Sequence, residues 1–265
     1  MRKRLTLLIL ASPFCFFIGC ATNPITGQQE LMLFSPQQDI EIGRKYAPEL
    51  EKQLGGRIAD QTLQNYIDSV GQRIAAVSHN PNFEYHFVAL NHESINAFAL
   101  PGGYVFLARG MLEKLETEAQ LAAILAHEIA HIVARDTMNA MSNQMGIDIL
   151  FSAVTSESTP AGVTTVANLT NQIIGLSYSR EDEKTADLAG LDYMAWAGYN
   201  PYGMVDTIRM LQRLQESRPI DFFSTHPSPE NRLGYLTQKI QTQYPNVTTL
   251  KVGRQDYQTY VLQNL

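Results

Sequence analysis

The sequence predicts an α+β fold that is mainly helical, with one small mixed β-sheet. Long segments carry apolar residues at helical spacing behind capping residues, and three short segments rich in aromatic and branched residues follow one another between residues 85 and 107. The chain has 265 residues, of which 45% are hydrophobic and 17% are charged. A chain of this length and composition can bury the core of one sizeable domain.

Capping sequences mark the starts of two predicted helices. At residues 35–38 and 117–120, a Ser or Thr stands three residues before a Gln, as in a capping box. The predicted helices cover about 35–54, 61–77, 117–141, 179–196, 202–215 and 229–243. The predicted strands cover 85–90, 95–100 and 104–107, with a last strand near 257–262. Residues 155–160 interrupt the apolar stretch 147–174, which is therefore predicted as a helix, an exposed loop and a second helix.

The first nineteen residues have the form of an export signal. A basic head precedes about fifteen mostly apolar residues, a stretch too short to span a membrane comfortably. It ends in Phe-Ile-Gly-Cys at 17–20, which resembles the lipobox of bacterial lipoproteins. We therefore expect cleavage before Cys20 and a lipid on its sulfur, followed by a tether over residues 20–34 and a domain over 35–265. An ordinary cleaved secretory signal is the alternative.

Charge and cysteine content restrict the compartment and the partners. The net charge is −6, and without residues 1–19 the chain has 17 basic and 26 acidic residues, which argues against nucleic acid as a partner. Cys15 leaves with the signal and Cys20 carries the lipid, so no disulfide is expected. Ala21, in place of an Asp, favours the outer membrane of the bacterial envelope, facing the periplasm.

The sequence His-Glu-Ile-Ala-His at 127–131 carries the main chemical signal. Histidines four residues apart lie on one face of a helix, about 6 Å along its axis, so both rings can reach one ion. Glu128 can project toward a water on that ion, as in the HExxH pattern of metallopeptidases. Solvated histidines are the alternative. However, the apolar segment 121–126 predicts a buried helix, where two histidines and a carboxylate need a partner such as a metal.

A third metal ligand is expected from another part of the chain, since hydrolytic zinc sites use three protein ligands and leave one position for water. Glu183 is the best candidate because it stands on a predicted helix. Asp187 follows one turn later on the same face and can accept a hydrogen bond from a ligand imidazole. The alternative places Glu183 in a solvated acidic patch at 180–183.

Together these motifs resemble the zinc metallopeptidases of the HtpX and CAAX-prenyl-protease type. The matching sequences are HExxH, Ser-Arg-x-x-Glu-x-x-Ala-Asp at 179–187, Thr-His-Pro at 225–227 and Asn-Ala-Phe-Ala-Leu-Pro-Gly-Gly at 96–103. The resemblance covers about residues 35–240. It implies a zincin-like domain with one Zn²⁺ bound by His127, His131 and Glu183. The lack of spanning helices is similar to the periplasmic lipoprotein branch of this family.

The resemblance also implies a substrate-binding strand, whose edge pairs with an extended peptide. An ordinary core strand followed by a glycine turn is the alternative, and both interpretations can hold together. The residues expected at the substrate are Asn96, Ala97, Phe98, Ala99, Gly102 and Gly103.

His226 has three interpretations. Its imidazole donates to the tetrahedral oxyanion of the reaction, or it covers the zinc and occupies the water position in a resting state, or it has no role. Arg232 either assists the oxyanion or supports the loop that carries His226.

The predicted function is a membrane-anchored zinc endopeptidase that hydrolyses unfolded or misassembled exported proteins, with Glu128 as the general base. The main alternative is a periplasmic chaperone or outer-membrane assembly factor whose zinc site is structural or latched. An aminopeptidase is a second alternative, although the sequence offers no identifiable group for a free amine. The predicted partners are unfolded proteins and the membrane, with the outer-membrane assembly machinery as a further candidate.

Overall fold

The computed structural model describes residues 19–155 and 175–265 of the chain. The predicted α+β fold is confirmed: helices dominate and a small mixed sheet lies among them. The strands are β1 (Cys20–Thr22), β2 (Gln29–Leu31), β3 (His86–Leu90), β4 (Ala97–Leu100) and β5 (Tyr104–Ala108). The α-helices are α1 (Pro36–Gln53), α2 (Gln61–Ala75), α3 (Arg109–Leu112), α4 (Glu118–Ala134), α5 (Asp136–Thr155), α6 (Arg180–Trp196), α7 (Tyr202–Ser217), α8 (Phe222–Thr225), α9 (Arg232–Gln243) and α10 (Arg254–Tyr257).

The main sheet has the strand order β3-β5-β4. β3 runs parallel to β5, whereas β4 pairs with β5 in the antiparallel sense, so the sheet is mixed as predicted. β4 is therefore an edge strand. Within the described parts of the chain, no other strand pairs with its outer edge.

Both faces of this sheet are covered, because successive residues of a strand point to opposite sides. Phe87, Ala89 and Val105 belong to the large core formed with α2, α4, α6 and α7. Their neighbours Val88 and Phe106 belong to a second core. That second core also includes Ala47 and Leu50 of α1, so the sheet lies between α1 and the remaining helices.

The helices α4 and α6 pack closely against each other at Gly190. A Cβ atom added to Gly190 would lie 3.1 Å from the backbone nitrogen of His127, which is tighter than ordinary van der Waals contact. The absence of a side chain at Gly190 therefore lets the two backbones approach at the level of the HExxH sequence. This crossing sets the distance between residues on α4 and residues on α6.

Two sequence predictions are corrected by the structure. The helix expected over 117–141 ends at Ala134, because Arg135 adopts a left-handed conformation (φ 61°), and a new helix begins at Asp136. The strand expected near 257–262 is wrong, since this segment is helical. Tyr257 and Val261 are both fully buried, and their spacing of four residues places them on one helical face. The second helix predicted within 147–174 lies outside the described residues.

The segment expected to act as a tether contains a hairpin that packs on the domain. β1 and β2 are antiparallel, with Ala21 opposite Glu30. Beyond the hairpin, the backbone N–H of Leu33 donates to Ser142 Oγ over 3.0 Å, and Arg135 donates to the carbonyl oxygen of Phe34 over 2.7 Å. None of the described helices has the length and apolar character that a membrane span requires.

Candidate metal centre

Helix α4 carries both histidines of the HExxH sequence on a buried face. Thr117 and Gln120 form the predicted capping box at its start. His127, Glu128 and His131 are 4%, 0% and 1% exposed. The Nε2 atoms of the two histidines lie 3.1 Å apart, so both rings are directed at one point.

Helix α6 brings Glu183 to the same point. Ser179 caps this helix with Asp182, and Glu183 is fully buried in its first turns, which excludes the solvated acidic patch for this residue. Glu183 Oε2 lies 3.5 Å from His127 Nε2, and Glu183 Oε1 lies 3.3 Å from His131 Nε2. The three predicted ligands are therefore neighbours in space, although 52 residues separate His131 from Glu183 in sequence.

His226 completes this cluster as a fourth residue. The short helix α8 ends directly before it, and its ring stacks on Phe222 with centroids 4.5 Å apart. Its Nδ1 lies 2.8 Å from Glu183 Oε1 and 3.3 Å from His127 Nε2. Its Nε2 faces Glu128, with 3.7 Å to Oε1. One side of the imidazole therefore meets the candidate ligands and the other meets the candidate base.

The cluster has the composition and spacing of a metal site. One potential ligand atom from each of His127, His131, Glu183 and His226 lies within 4.8 Å of the other three. Atoms about 2.0–2.1 Å from one ion in tetrahedral arrangement are about 3.3–3.5 Å apart, close to the separations observed here. Several buried atoms, including Glu183 Oε2, lack a hydrogen-bond partner. Such atoms are costly to bury unless they are paired, and a divalent cation would pair them.

The charges of these buried groups act on one another. Burial opposes the charge on Glu183, but the neighbouring imidazoles of His226 and His127 hold its pKa well below its usual value. Burial also opposes the charge on His131, but hydrogen bonds to Asp136 and Glu183 raise its pKa to about 10. Because a metal-bound imidazole must be neutral, metal binding at these histidines would depend on pH.

Asp187, which was predicted to accept a hydrogen bond from a ligand imidazole, lies beside His127. Its Oδ1 is 3.2 Å from His127 Nδ1, although the two atoms do not meet the geometry of a hydrogen bond. Arg232 donates two hydrogen bonds to Asp187, of 2.7 and 2.6 Å, and the Tyr235 hydroxyl donates a third. Burial would raise the pKa of Asp187, but Arg232 and His127 lower it. The contacts of Arg232 therefore fix a carboxylate beside a candidate ligand.

Two further residues hold His131, and neither was predicted from the sequence. Its Nδ1 lies 2.7 Å from Oδ2 of Asp136, which is 4% exposed. The ring of Tyr178 stacks on the ring of His131, with centroids 3.9 Å apart and an angle of 10° between the ring planes. Because the helix was predicted to continue through residue 141, Asp136 was not expected to contact His131. An Arg-Asp pair directly after a buried apolar helix was the available signal.

The predicted substrate strand reaches the cluster at one point. Phe98, Ala99 and Leu100 of β4 line a small cleft together with Tyr178 and His226. Asn96 and Ala97 precede this cleft, and both are buried. Gly102 and Gly103 follow it with positive φ of 80° and 93°, which glycine adopts readily. Cys20, the predicted lipidation site, is exposed at the start of β1.

The chain is also similar to a known protein family. Residues 61–240, more than half of the chain, match peptidase family M48. The chain belongs to this family. The resemblance inferred from the sequence motifs is thereby confirmed, and with it the metallopeptidase class.

The relatives of this M48 chain include proteins from bacteria and from a plant. It is 30% identical over 243 residues to the beta-barrel assembly-enhancing protease of Escherichia coli (strain K12), which covers 85% of this chain and 48% of the relative. It is 30% identical over 212 residues to the mitochondrial metalloendopeptidase OMA1 of Arabidopsis thaliana, covering 80% and 42%. It is 22% identical over 151 residues to the metalloprotease LoiP of Escherichia coli, covering 56% and 60%. The chain spans about half the length of the first two relatives.

Proposed function

We propose that this chain is a zinc endopeptidase whose metal is held by His127, His131 and Glu183. The observation that carries the proposal is the convergence of these three side chains, from two helices, within 4.8 Å in a buried position. Two imidazoles and one carboxylate are a ligand set that suits a catalytic zinc ion. A bound zinc ion would polarise the peptide carbonyl and lower the pKa of water.

Glu128 is the proposed general base. Both of its carboxylate oxygens are buried and lack hydrogen-bond partners, so they are available to accept a proton from the attacking water. Glu128 Oε1 lies 3.7 Å from Nε2 of His226, so its carboxylate adjoins the fourth residue of the cluster. It then returns the proton to the nitrogen of the leaving amine, which restores the carboxylate.

His226 supports a second candidate function, a latched site. Its Nδ1 lies 3.3 Å from His127 Nε2, as close as a fourth ligand would be. Its ring lies between the three proposed ligands and Glu128. A site closed by four protein ligands is typical of structural zinc. We propose that this arrangement is a resting state of the peptidase and that His226 moves away before substrate binds. A permanently latched chaperone or assembly factor is the alternative.

The proposed substrate is an extended segment of an unfolded or misassembled exported protein. The outer edge of β4 offers backbone groups for pairing, and the same strand lines the cleft at His226. A strand edge binds mainly through backbone hydrogen bonds, so it can accept many sequences once they are unfolded.

The proposed location is the bacterial envelope, through a lipid on Cys20. The exposed position of Cys20, at the start of the hairpin, supports this. Ala21 in the position after Cys20 supports the outer membrane. The name of one relative, a beta-barrel assembly-enhancing protease, supports envelope assembly as the context.

The test is digestion of casein by the purified wild-type chain and by Glu128→Gln and His226→Ala, each with zinc content measured by elemental analysis. Glu128→Gln should keep the zinc and lose cleavage. If His226 is a latch, His226→Ala should cleave faster than the wild type, whereas an oxyanion donor predicts slower cleavage. Retained cleavage by Glu128→Gln would contradict its role as base. Cleavage of peptides with blocked N-termini separates an endopeptidase from an aminopeptidase.

A further inference from the structure

A cavity of about 290 Å³ lies between the N-terminal hairpin, the end of β4 and the junction of α4 and α5. The hairpin contributes Ala21 and Met32, β4 contributes Leu100, and the helix junction contributes Val133 and Met138. His131, a proposed zinc ligand, also belongs to the residues around this cavity. The cavity therefore adjoins both the candidate strand edge and the candidate metal centre.

The charged residues around the cavity have hydrogen-bond partners. Arg135 donates hydrogen bonds of 2.6 and 2.9 Å to the carboxylate of Asp39, and Asn23 donates one of 2.8 Å to Glu30. Arg135 thus compensates the charge of Asp39, whereas the partner of Glu30 is a neutral amide. An engineered cavity of about 150 Å³ lined by apolar residues holds benzene. A cavity of about twice that volume can hold a large aliphatic or aromatic side chain.

The position of the cavity relative to β4 suggests how a peptide would reach it. β4 runs from Ala97 to Leu100, and the chain then continues along the cavity at Pro101 and Gly102. A peptide that pairs with β4 in the antiparallel sense, the more frequent and more stable pairing, runs in the opposite direction. Its N-terminal part then lies at the cavity, while a later part lies at His226. Every second side chain of such a peptide faces the same side.

We propose that this cavity is a specificity pocket, which accepts a large apolar side chain on the N-terminal side of the cleaved bond. The proposal rests on the proposed peptidase function, and adds to it a preference among substrates. The wall supplied by residues 21–39 lies outside the part of the chain that matches the family, residues 61–240. The N-terminal hairpin thus contributes to substrate choice in addition to linking the domain to its anchor.

The test compares three forms of the full chain purified in detergent micelles: wild type, Ala21→Trp and Gln28→Trp. Ala21 is half-buried and lines the cavity, so an indole at this position fills it from the rim. Gln28 is exposed in the same hairpin and does not line the cavity, which makes it a matched control. Thermal melts establish that all three forms are folded.

Each form digests a peptide library, and mass spectrometry gives the residue preferences around each cut. The wild type and Gln28→Trp should prefer large apolar residues at one position before the cut. Ala21→Trp should lose about tenfold in kcat/KM for such peptides relative to peptides with Ala at that position, because small changes in an apolar pocket change selectivity by about 10–200-fold. An unchanged preference in folded Ala21→Trp would overturn the pocket while leaving the peptidase intact. No cleavage by the wild type would overturn the proposed function, and the pocket with it.

Discussion

Asp136 offers a quantitative test of how the site is built. Its Oδ2 accepts from Nδ1 of His131 over 2.7 Å, and both side chains are buried. This bond fixes the ring so that the other nitrogen, Nε2, points to the cluster. Hydrogen bonds to charged groups contribute about 1.5–3 kcal/mol, roughly twice as much as neutral ones. Asp136→Asn keeps an acceptor but removes its charge, so we expect a loss of about 1.4 kcal/mol, or about tenfold in zinc affinity.

Asp136→Ala removes the acceptor altogether and should weaken zinc binding by up to about 100-fold, the upper range for such outer partners of metal ligands. Affinity is measured by competition with a chromophoric zinc chelator, and the melting of the zinc-free proteins reports on folding. Asp192→Asn is the matched control. Asp192 stands on α6 like Glu183, but it pairs with Lys239 and Tyr244 instead of a candidate ligand. Affinities within twofold of wild type for both Asp136 variants would refute this reasoning.

Three further predictions concern packing, charge and metal removal. Gly190→Val should separate α4 from α6, reduce the free energy of unfolding by about 1–3 kcal/mol and weaken zinc binding, and Gly190→Ala should have an intermediate effect. Equal zinc affinity in the wild type and both variants would contradict this. Arg232→Ala leaves the buried Asp187 carboxylate without its main partner and should reduce the free energy of unfolding in urea by about 3–5 kcal/mol, part of which Asp187→Asn should restore; a loss below about 1 kcal/mol would contradict it. Free zinc at about 1,000 times its Kd should add about 4 kcal/mol, so a chelator should lower the Tm of the wild type by about 8–16 °C but leave His131→Ala unchanged. A wild-type Tm insensitive to the chelator would contradict metal binding in the folded state.

Features that depend on local sequence were predicted well. The capping boxes predicted at Ser35 and Thr117 stand at the starts of α1 and α4, because a cap involves only neighbouring residues. The candidate ligands could be chosen for the same reason: the spacing within 127–131 and the helical placement of Glu183 are local. Their convergence in space agrees with the expected arrangement, while their roles as ligands remain proposals.

Features that depend on tertiary packing were missed or predicted wrongly. Arg135 adopts a left-handed conformation although it is neither Gly nor Asn, the residues that usually do so. Its side chain donates hydrogen bonds to Asp39 and to the carbonyl oxygen of Phe34. The turn at this position brings Asp136 into contact with His131. The C-terminal segment 257–262 is rich in aromatic and β-branched residues, which are common in strands. It is helical because Tyr257, four residues before Val261, is buried and donates to the carbonyl oxygen of Leu112. Neither contact can be inferred from nearby sequence.

Anomalous diffraction at the zinc edge, from crystals of the chain grown with zinc, tests the central claim most directly. We predict one peak about 2.0–2.2 Å from His127 Nε2, His131 Nε2 and a carboxylate oxygen of Glu183, with His226 Nδ1 as a fourth ligand in the resting state. A peak that lies beyond bonding distance of both Glu183 carboxylate oxygens, or the absence of a peak among these residues, would contradict the proposed metal centre.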